Sequence, residues 1–271
     1  MGMGSGTVAL VTGANAGIGR ETARRLAAAG FTVVGAARRP EAVGEMRAQG
    51  ILAVQIDVTD EPSMAAGVAE AERIAGPVGV LVNNAGYGLA GPVELLAMDD
   101  IRRQFETNVF GLVRMCQLVL PGMRERGAGR IINVSSIAGE MTLPGEGAYH
   151  ASKYAVEAFS DALRIEVAQF GVAVSLVQPT GVRTGFFAAL DESACVAGSG
   201  PYRGLIDGWR ALISRTQASR VGMIDPEDVA NAIVRAATED RPKPRYRVGW
   251  SGSVMLAAKA LLPARAGNEG M

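Results

Sequence analysis

The chain has 271 residues, enough to bury a full hydrophobic core, and its 48% hydrophobic and 20% charged content is that of a packed globular protein and not a disordered one. Its 27 basic and 27 acidic residues leave a formal charge of zero, and no basic run marks a nucleic-acid footprint. Two cysteines, Cys116 and Cys195, and one histidine, His150, offer no metal-ligand or redox spacing, which argues against a metal site and for a reduced, cytoplasmic setting.

The opening "MGMGSGTVALVTG" lacks the charged and apolar regions of a secretion signal. Gly2 does not make a myristoylation site, because Gly6 stands where Ser or Thr is needed. Apolar β-branched runs then alternate with helix-period segments. "TVALVT" reads as a strand, "GRETARRLAAAG" as a helix stopped at Gly30, and "FTVVGA" as a second strand. "ILAVQIDV" is a third strand, "EPSMAAGVAEAERIAG" a helix, and "VGVLVNNAG" a fourth strand. A long helix from about Asp99 to Arg126 leads into the strand "GRIINVSS". A helix over Tyr149 to Phe170, the strand "VAVSLVQP", a helix near Pro226 to Thr238 and a last strand at "YRVGW" complete the pattern. Such alternation predicts an α/β fold: a parallel sheet of about seven strands with helices on both faces. The late apolar segment "VMLAAKALLPAR" is interrupted by Lys259 and too short to span a bilayer. No linker or repeat divides the chain, so residues 1–271 read as one domain. The irregular region near 185–222 follows the C-terminal end of a strand, where such sheets bind ligands, and reads as a lid.

Straight after the first strand, Thr12 to Gly19 reads "TGANAGIG" and runs into a helix. Gly13, Gly17 and Gly19 let a turn tighten and bring the backbone close to a pyrophosphate, while the helix N-terminus supplies N–H donors. A carboxylate ending the second strand would bond the ribose 2′-hydroxyl of NAD. This strand instead ends "GAARRP", with Ala36 and Ala37 followed by Arg38 and Arg39. No acid repels a 2′-phosphate there, and guanidinium groups bind one with charge-assisted bonds, so NADP(H) is favoured over NAD(H).

With "TGANAGIG", "NNAG" at Asn83 to Gly86, Ser136 and "YHASK" from Tyr149 to Lys153, the chain resembles the short-chain dehydrogenase/reductase family in its single-domain form, over nearly its whole length. The resemblance implies a Rossmann-type doubly wound sheet and a catalytic tetrad of Asn108, Ser136, Tyr149 and Lys153. Ser136, and not its neighbour Ser135, stands at the family's distance of thirteen residues before the tyrosine. The cofactor contacts it implies are Gly13, Asn15, Gly17, Ile18, Gly19, Arg38, Arg39, Asp57, Val58, Asn84, Ala85, Gly86, Tyr149 and Lys153, then Pro179, Gly181, Val182 and Thr184. Thr180 stands between that proline and glycine, where the family usually joins them directly.

The chain's only lysines are Lys153, Lys243 and Lys259. Tyr149 and Lys153 are four apart, so on a helix they share a face. A phenol with a pKa of ~10 is a poor base near neutrality. An adjacent ammonium would stabilise the phenolate, and unlike an arginine it releases a proton readily enough to serve a relay. The resemblance then implies hydride transfer between NADP(H) and a carbonyl or alcohol. Ser136 and Tyr149 hold the oxygen, Tyr149 acts as general acid and base, and Asn108 positions a water through its backbone. His150, the next helical residue, points roughly 100° away from that task. "NNAGYGLAGPVE" and the "RYRVGW" ending look like the hydroxysteroid and retinol dehydrogenase-like branch. That branch handles bulky apolar substrates, for which Leu89, Met141, Leu143 and Phe187 are candidate pocket residues. The competing readings are a catalytically idle dinucleotide-binding regulator, which would lack Tyr149 or Lys153, and a lyase or epimerase of the same fold. Pairing through the Asp99–Arg126 and Tyr149–Phe170 helices, as in the family, would give a homodimer or homotetramer. A small-molecule substrate is the expected partner, with no nucleic acid and no membrane-spanning segment.

Overall fold

The structure is a computed structural model, and it describes residues 4, 6–193, 200–219 and 222–261. Seven strands form one sheet: β1 (Val8–Thr12), β2 (Thr32–Ala37), β3 (Leu52–Gln55), β4 (Val78–Asn83), β5 (Gly129–Val134), β6 (Val172–Pro179) and β7 (Arg245–Val248). Their order is β3-β2-β1-β4-β5-β6-β7, and every pairing is parallel. Successive side chains of a strand point to opposite faces, and a sheet covered on both sides must therefore be apolar at every position. The central strands are largely so, with Asn83, Arg130 and Asn133 as buried polar exceptions. Ala9, Val11, Val80, Val82 and Ile132 enter one apolar layer, whereas Val8, Leu10, Val78, Leu81 and Ile131 enter the other.

Helices α1 (Gly17–Ala28), α2 (Pro40–Ala48) and α9 (Pro226–Thr238) cover the first layer through Leu26, Met46 and Ile233. Helices α3 (Glu61–Ala75), α5 (Gly111–Glu125) and α6 (Gly147–Val167) cover the second through Val68, Met115 and Val156. Each such side chain, taken fully out of water, contributes about 1.5–3 kcal/mol. Helix α9 begins and ends where its sequence signals place it. Pro226 occupies its first turn, and Asp225 and Asp228 form a reciprocal capping box.

The long helix predicted over Asp99–Arg126 is interrupted. Helix α4 (Met98–Phe105) passes into a π turn, Glu106–Phe110, before α5 resumes. The Gly111 N–H reaches back five residues to the Glu106 carbonyl. The widening accompanies Asn108, whose side chain is turned inward and bonded on both sides. Helix α2 and the C-terminal helix α10 (Trp250–Leu261) were not foreseen. The region read as a lid holds α7 (Phe186–Ser193), a short 3-10 turn at Gly200–Tyr202 and α8 (Arg203–Ser219). Residues 194–199 and 220–221, Cys195 among them, lie outside the described residues. No described helix is long and apolar enough to cross a membrane.

The chain runs outward from β1 to β3 and then returns to the other side of β1 to start β4. Loops leaving β1 and β4 therefore part in opposite directions at the carboxyl ends of the strands. Ligands bind in the crevice opened by such a reversal.

Candidate active site

At that crevice the β1–α1 turn is locked to the end of β4. Thr12 Oγ1 accepts the backbone N–H groups of Asn84 and Ala85, each at 3.0 Å. Asn84 Nδ2 donates to the carbonyls of Thr12 (2.9 Å) and Gly13 (3.3 Å). Gly13 has φ +65°, in the left-handed region. Gly19 has no room for a side chain: a Cβ there would stand 2.2 Å from the Gly13 carbonyl oxygen and 2.5 Å from Asn84 Nδ2. The result is a turn that brings the α1 N-terminus close to the sheet. Ala16 precedes α1, and no side chain caps the helix. Its first N–H groups, at Gly17, Ile18 and Gly19, thus form the kind of donor cluster that takes a phosphate. Asn15 and Ile18 are half-buried beside it. Gly17 sits against Thr184, whose methyl group would lie 3.3 Å from an added Cβ, so the turn and the segment after β6 meet.

The adenosine side is more open. Arg38 and Arg39 are exposed at the end of β2, and neither guanidinium takes an ion-pair partner among the described residues. Asp57 uses one carboxylate oxygen to hold Thr59, through the backbone N–H at 2.9 Å and the hydroxyl at 2.7 Å. Val58 is half-buried next to it. Together, the uncapped helix end, the glycine cradle and the unpaired arginines fit a dinucleotide with its pyrophosphate on α1.

The four residues of the implied tetrad are all buried and converge from three segments. Ser136 follows β5, and its Oγ accepts the Ala138 N–H at 3.1 Å and donates to the Pro179 carbonyl at 3.5 Å. Tyr149 and Lys153 lie one turn apart on α6, with Lys153 Nζ 5.9 Å from the Tyr149 ring centre. Nζ donates to the Val134 carbonyl at 3.0 Å. Asn108 Oδ1 accepts the Tyr87 N–H at 3.0 Å, while its Nδ2 donates to the Tyr87 carbonyl (2.9 Å) and Ser152 Oγ (3.1 Å). Ser152 Oγ in turn donates to the Tyr149 carbonyl at 2.7 Å. Gly86 lies between them; a Cβ there would be 3.0 Å from Asn108 Oδ1 and 3.9 Å from Lys153 Nζ.

Electrostatics depart from the simple expectation that the ammonium acidifies the phenol. Burial pushes the Tyr149 hydroxyl well above its usual range; a hydrogen bond with Ser136 pulls it down, and the charge of Glu146 adds to the rise. Burial also brings Lys153 down to about 8, against the pull of Glu157. Desolvation thus dominates both groups in the chain by itself, because each is charged in the form that burial disfavours.

Beyond β6, Gly181 bonds Ile224 through its carbonyl, and Val182 bridges to Ile224. Thr184 Oγ1 accepts the Phe186 N–H at 3.2 Å and so starts α7 above the site. The Phe186 ring lies 5.3 Å from that of Tyr149, and Phe187 meets Phe186 edge-on at 5.8 Å. Ala90, Leu190 and Trp209, with Phe186, Phe187 and Ile213, form an apolar cluster that reaches Tyr149 through Phe186. Of the four candidate pocket residues, Phe187 joins this cluster, Met141 is buried and Leu143 half-buried. Leu89 packs elsewhere, against Leu96 and Ala148. His150 is structural in its contacts: Nδ1 bonds the carbonyls of Ala138 (3.1 Å) and Met141, which are in the loop after Ser136. Sequence reasoning passed over Glu146, a buried acid three residues before Tyr149. An acid within the otherwise uncharged run from Met141 to Tyr149 was the available signal.

Residues 7–194 match the family described as short chain dehydrogenase. Human retinol dehydrogenase 8 is 36% identical over 268 residues, covering 93% of this chain and 84% of its own length. A short chain dehydrogenase/reductase from Burkholderia phymatum, solved in complex with NAD, superposes with a TM-score of 0.81 at 29% identity, covering 95% of this chain and 94% of that one. A variant actinorhodin polyketide ketoreductase solved with NADPH gives a TM-score of 0.76 at 33% identity, covering 91% and 97%. The chain belongs to the short-chain dehydrogenase/reductase family, oxidoreductases that interconvert alcohols and carbonyls with a nicotinamide dinucleotide.

Proposed function

We propose that the protein is an NADP(H)-dependent carbonyl reductase or alcohol dehydrogenase for a bulky apolar substrate. The observation that carries this reading is the buried Ser136–Tyr149–Lys153 arrangement lying directly beneath an apolar cover. The bound nicotinamide would supply hydride exchange with the carbonyl carbon. The chain's own residues do the rest. Ser136 Oγ and the Tyr149 hydroxyl hold the substrate oxygen and stabilise charge as it develops. Tyr149 gives its proton to that oxygen in reduction and takes one from it in oxidation. Lys153, brought to about 8 by burial, sits close enough to neutrality to pass a proton on without a large penalty. Asn108, held in its π turn, has the side chain fully engaged by Tyr87 and Ser152, which leaves backbone carbonyls of the widened turn to position a water. The cover of Phe186, Phe187, Leu190 and Trp209 excludes bulk water and favours an apolar substrate body. The names of the similar proteins point the same way, one a retinol dehydrogenase and one a polyketide ketoreductase.

Cofactor would lie along Gly13, Asn15, Gly17, Ile18 and Gly19, past Asp57, Val58, Asn84, Ala85 and Gly86, to Tyr149, Lys153, Pro179, Gly181, Val182 and Thr184. Arg38 and Arg39 would hold the 2′-phosphate. Exposed Phe110, Phe159 and Ile165 near and along the helices read as pairing surfaces support a homo-oligomer. A panel of short and long ketones and alcohols, tested with both cofactors by absorbance of the reduced nicotinamide, checks the reading. Turnover of a long apolar member is expected, and Tyr149→Phe should lower kcat by about 10²–10⁴. Activity unaffected by that change would sink it.

A further inference from the structure

Burying a carboxylate is costly unless it is hydrogen-bonded or paired. Glu146 is 7% exposed, stands immediately before α6, and among the described residues has neither arginine nor lysine as an ion-pair partner. Its Oε1 accepts the Trp209 indole N–H at 2.8 Å. Its Oε2 lies 3.5 Å from His150 Nε2. The opposite nitrogen of that imidazole holds the carbonyls of Ala138 and Met141. One carboxylate therefore ties the start of the helix that bears Tyr149 to α8, beside the imidazole that holds the loop after Ser136.

Trp209 is the aromatic ring that α8 brings to the cover, with Ile213 packed in the same cluster. It is 8% exposed and packs with Ala90 and Leu190, beside the Phe186 ring that lies over Tyr149. Gly145 lies against its ring, where an added Cβ would meet Cγ and Cδ1 at 3.6 Å. The other side-chain tie from α8 toward the cover, Arg210 to Asp191 at 2.8 Å, is exposed, where ion pairs contribute little. An apolar side chain at position 146 would fill the space at less cost; what it would not supply is a directed bond to the indole.

We infer that Glu146 is a positioning residue for substrate size: by fixing Trp209 beside the Phe186 ring that lies over Tyr149 it holds α8 down and sets how large an apolar body the site accepts. The inference rests on the carbonyl-reductase reading, but its physical part concerns α8 alone. Loss of the indole bond frees the roof, so a long substrate is held less well, while a short one, which does not reach the roof, is affected less.

Three variants separate the bond from the charge. Trp209→Phe keeps a ring and the Glu146 charge but removes the N–H. Glu146→Leu removes the acceptor. Glu146→Gln keeps an acceptor and removes the charge. Two measurements are made on each full-length protein: amide hydrogen exchange across α8 without substrate, and kcat and KM over a homologous series of unbranched methyl ketones. Trp209→Phe and Glu146→Leu should each speed α8 exchange about tenfold, the scale expected for one lost hydrogen bond to a charged group. They should raise KM for the longest ketones by a similar factor, with a smaller change in kcat and in KM for the shortest. Glu146→Gln should restore slow exchange to within about threefold of wild type. Wild-type exchange in both Trp209→Phe and Glu146→Leu overturns the inference, as does a KM rise equal at all chain lengths. If no ketone is turned over by the wild type, it is the reaction reading that fails, and exchange still decides whether Glu146 holds α8.

Discussion

The turn after β1 and the cover formed by α7 and α8 stand at the same end of the sheet, yet they are built by opposite means. Around Gly13 and Gly19 the chain packs backbone on backbone; the contacts are glycine against carbonyl and the carboxamide of Asn84. In the cover, helices meet the site through rings, Phe186 on Tyr149 and Trp209 on Gly145, and through one buried indole bond. Backbone packing tolerates no added atom and holds a ligand of fixed shape, such as a pyrophosphate. Ring packing is adjustable and suits a substrate whose shape varies. The difference explains why one fold keeps a single cofactor type beside many substrates.

Gly19→Ala breaks the comparison most severely. Its Cβ would stand 2.2 Å from the Gly13 carbonyl oxygen, so the turn itself must open. Overpacking of this kind costs about 3 kcal/mol, and dinucleotide affinity should fall by roughly 100-fold or more as the α1 N–H groups move away. Thermal unfolding and a cofactor titration check both. A variant that bound cofactor normally would mean that the turn is not the phosphate site.

Much of the backbone-built half was legible in the sequence because it depends on local features. Glycine spacing after a β-branched run marks the turn, and Pro226 with Asp225 and Asp228 marks α9. Parallel pairing followed from the alternation of strand and helix segments along the chain. What escaped depends on tertiary partners. The π turn around Asn108 exists with Tyr87 and Ser152, distant in sequence, and helical periodicity alone does not encode it. Helix α2 has weak amphipathicity and a glycine in its middle. Helix α10 is largely uncharged, so no polar face announces it. The Glu146–Trp209 bond joins residues 63 apart. The spacing that names Tyr149 and Lys153 carries no information about their burial, and burial is what moves their protonation away from the expected direction.

The catalytic end sharpens the comparison because a charge is buried there. In the folded chain Lys153 titrates at about 8, while in the unfolded chain its usual value is ~10.4. Between those values the unfolded chain holds a proton that the folded chain has lost, so stability rises with pH across that window; below about 8 both states are charged and the burial cost is fully present. Lys153→Met removes this dependence. From pH 7.5 to 9.5, urea unfolding of the cofactor-free proteins should shift the difference in favour of wild type by about 2 kcal/mol, against a ceiling of about 1.4 kcal/mol per pH unit for one proton. Identical pH profiles for the two proteins would mean that Lys153 is solvated.

The smallest effect belongs to the open rim beside the turn. Arg38 and Arg39 are exposed, and no carboxylate among the described residues pairs with them, so removing either costs the fold little. A 2′-phosphate held there would gain charge-assisted bonds that a ribose hydroxyl does not. In the double variant Arg38→Ala, Arg39→Ala, kcat/KM for NADPH should therefore fall by about tenfold or more, with NADH little changed, because each factor of ten corresponds to about 1.4 kcal/mol, the worth of one such bond. A rise in salt should narrow the wild-type preference in the same direction, since exposed charges are screened over about 10 Å at 0.1 M. Equal losses with both cofactors would assign the arginines to the turn's general positive field, and the 2′-position would then be read by some other group.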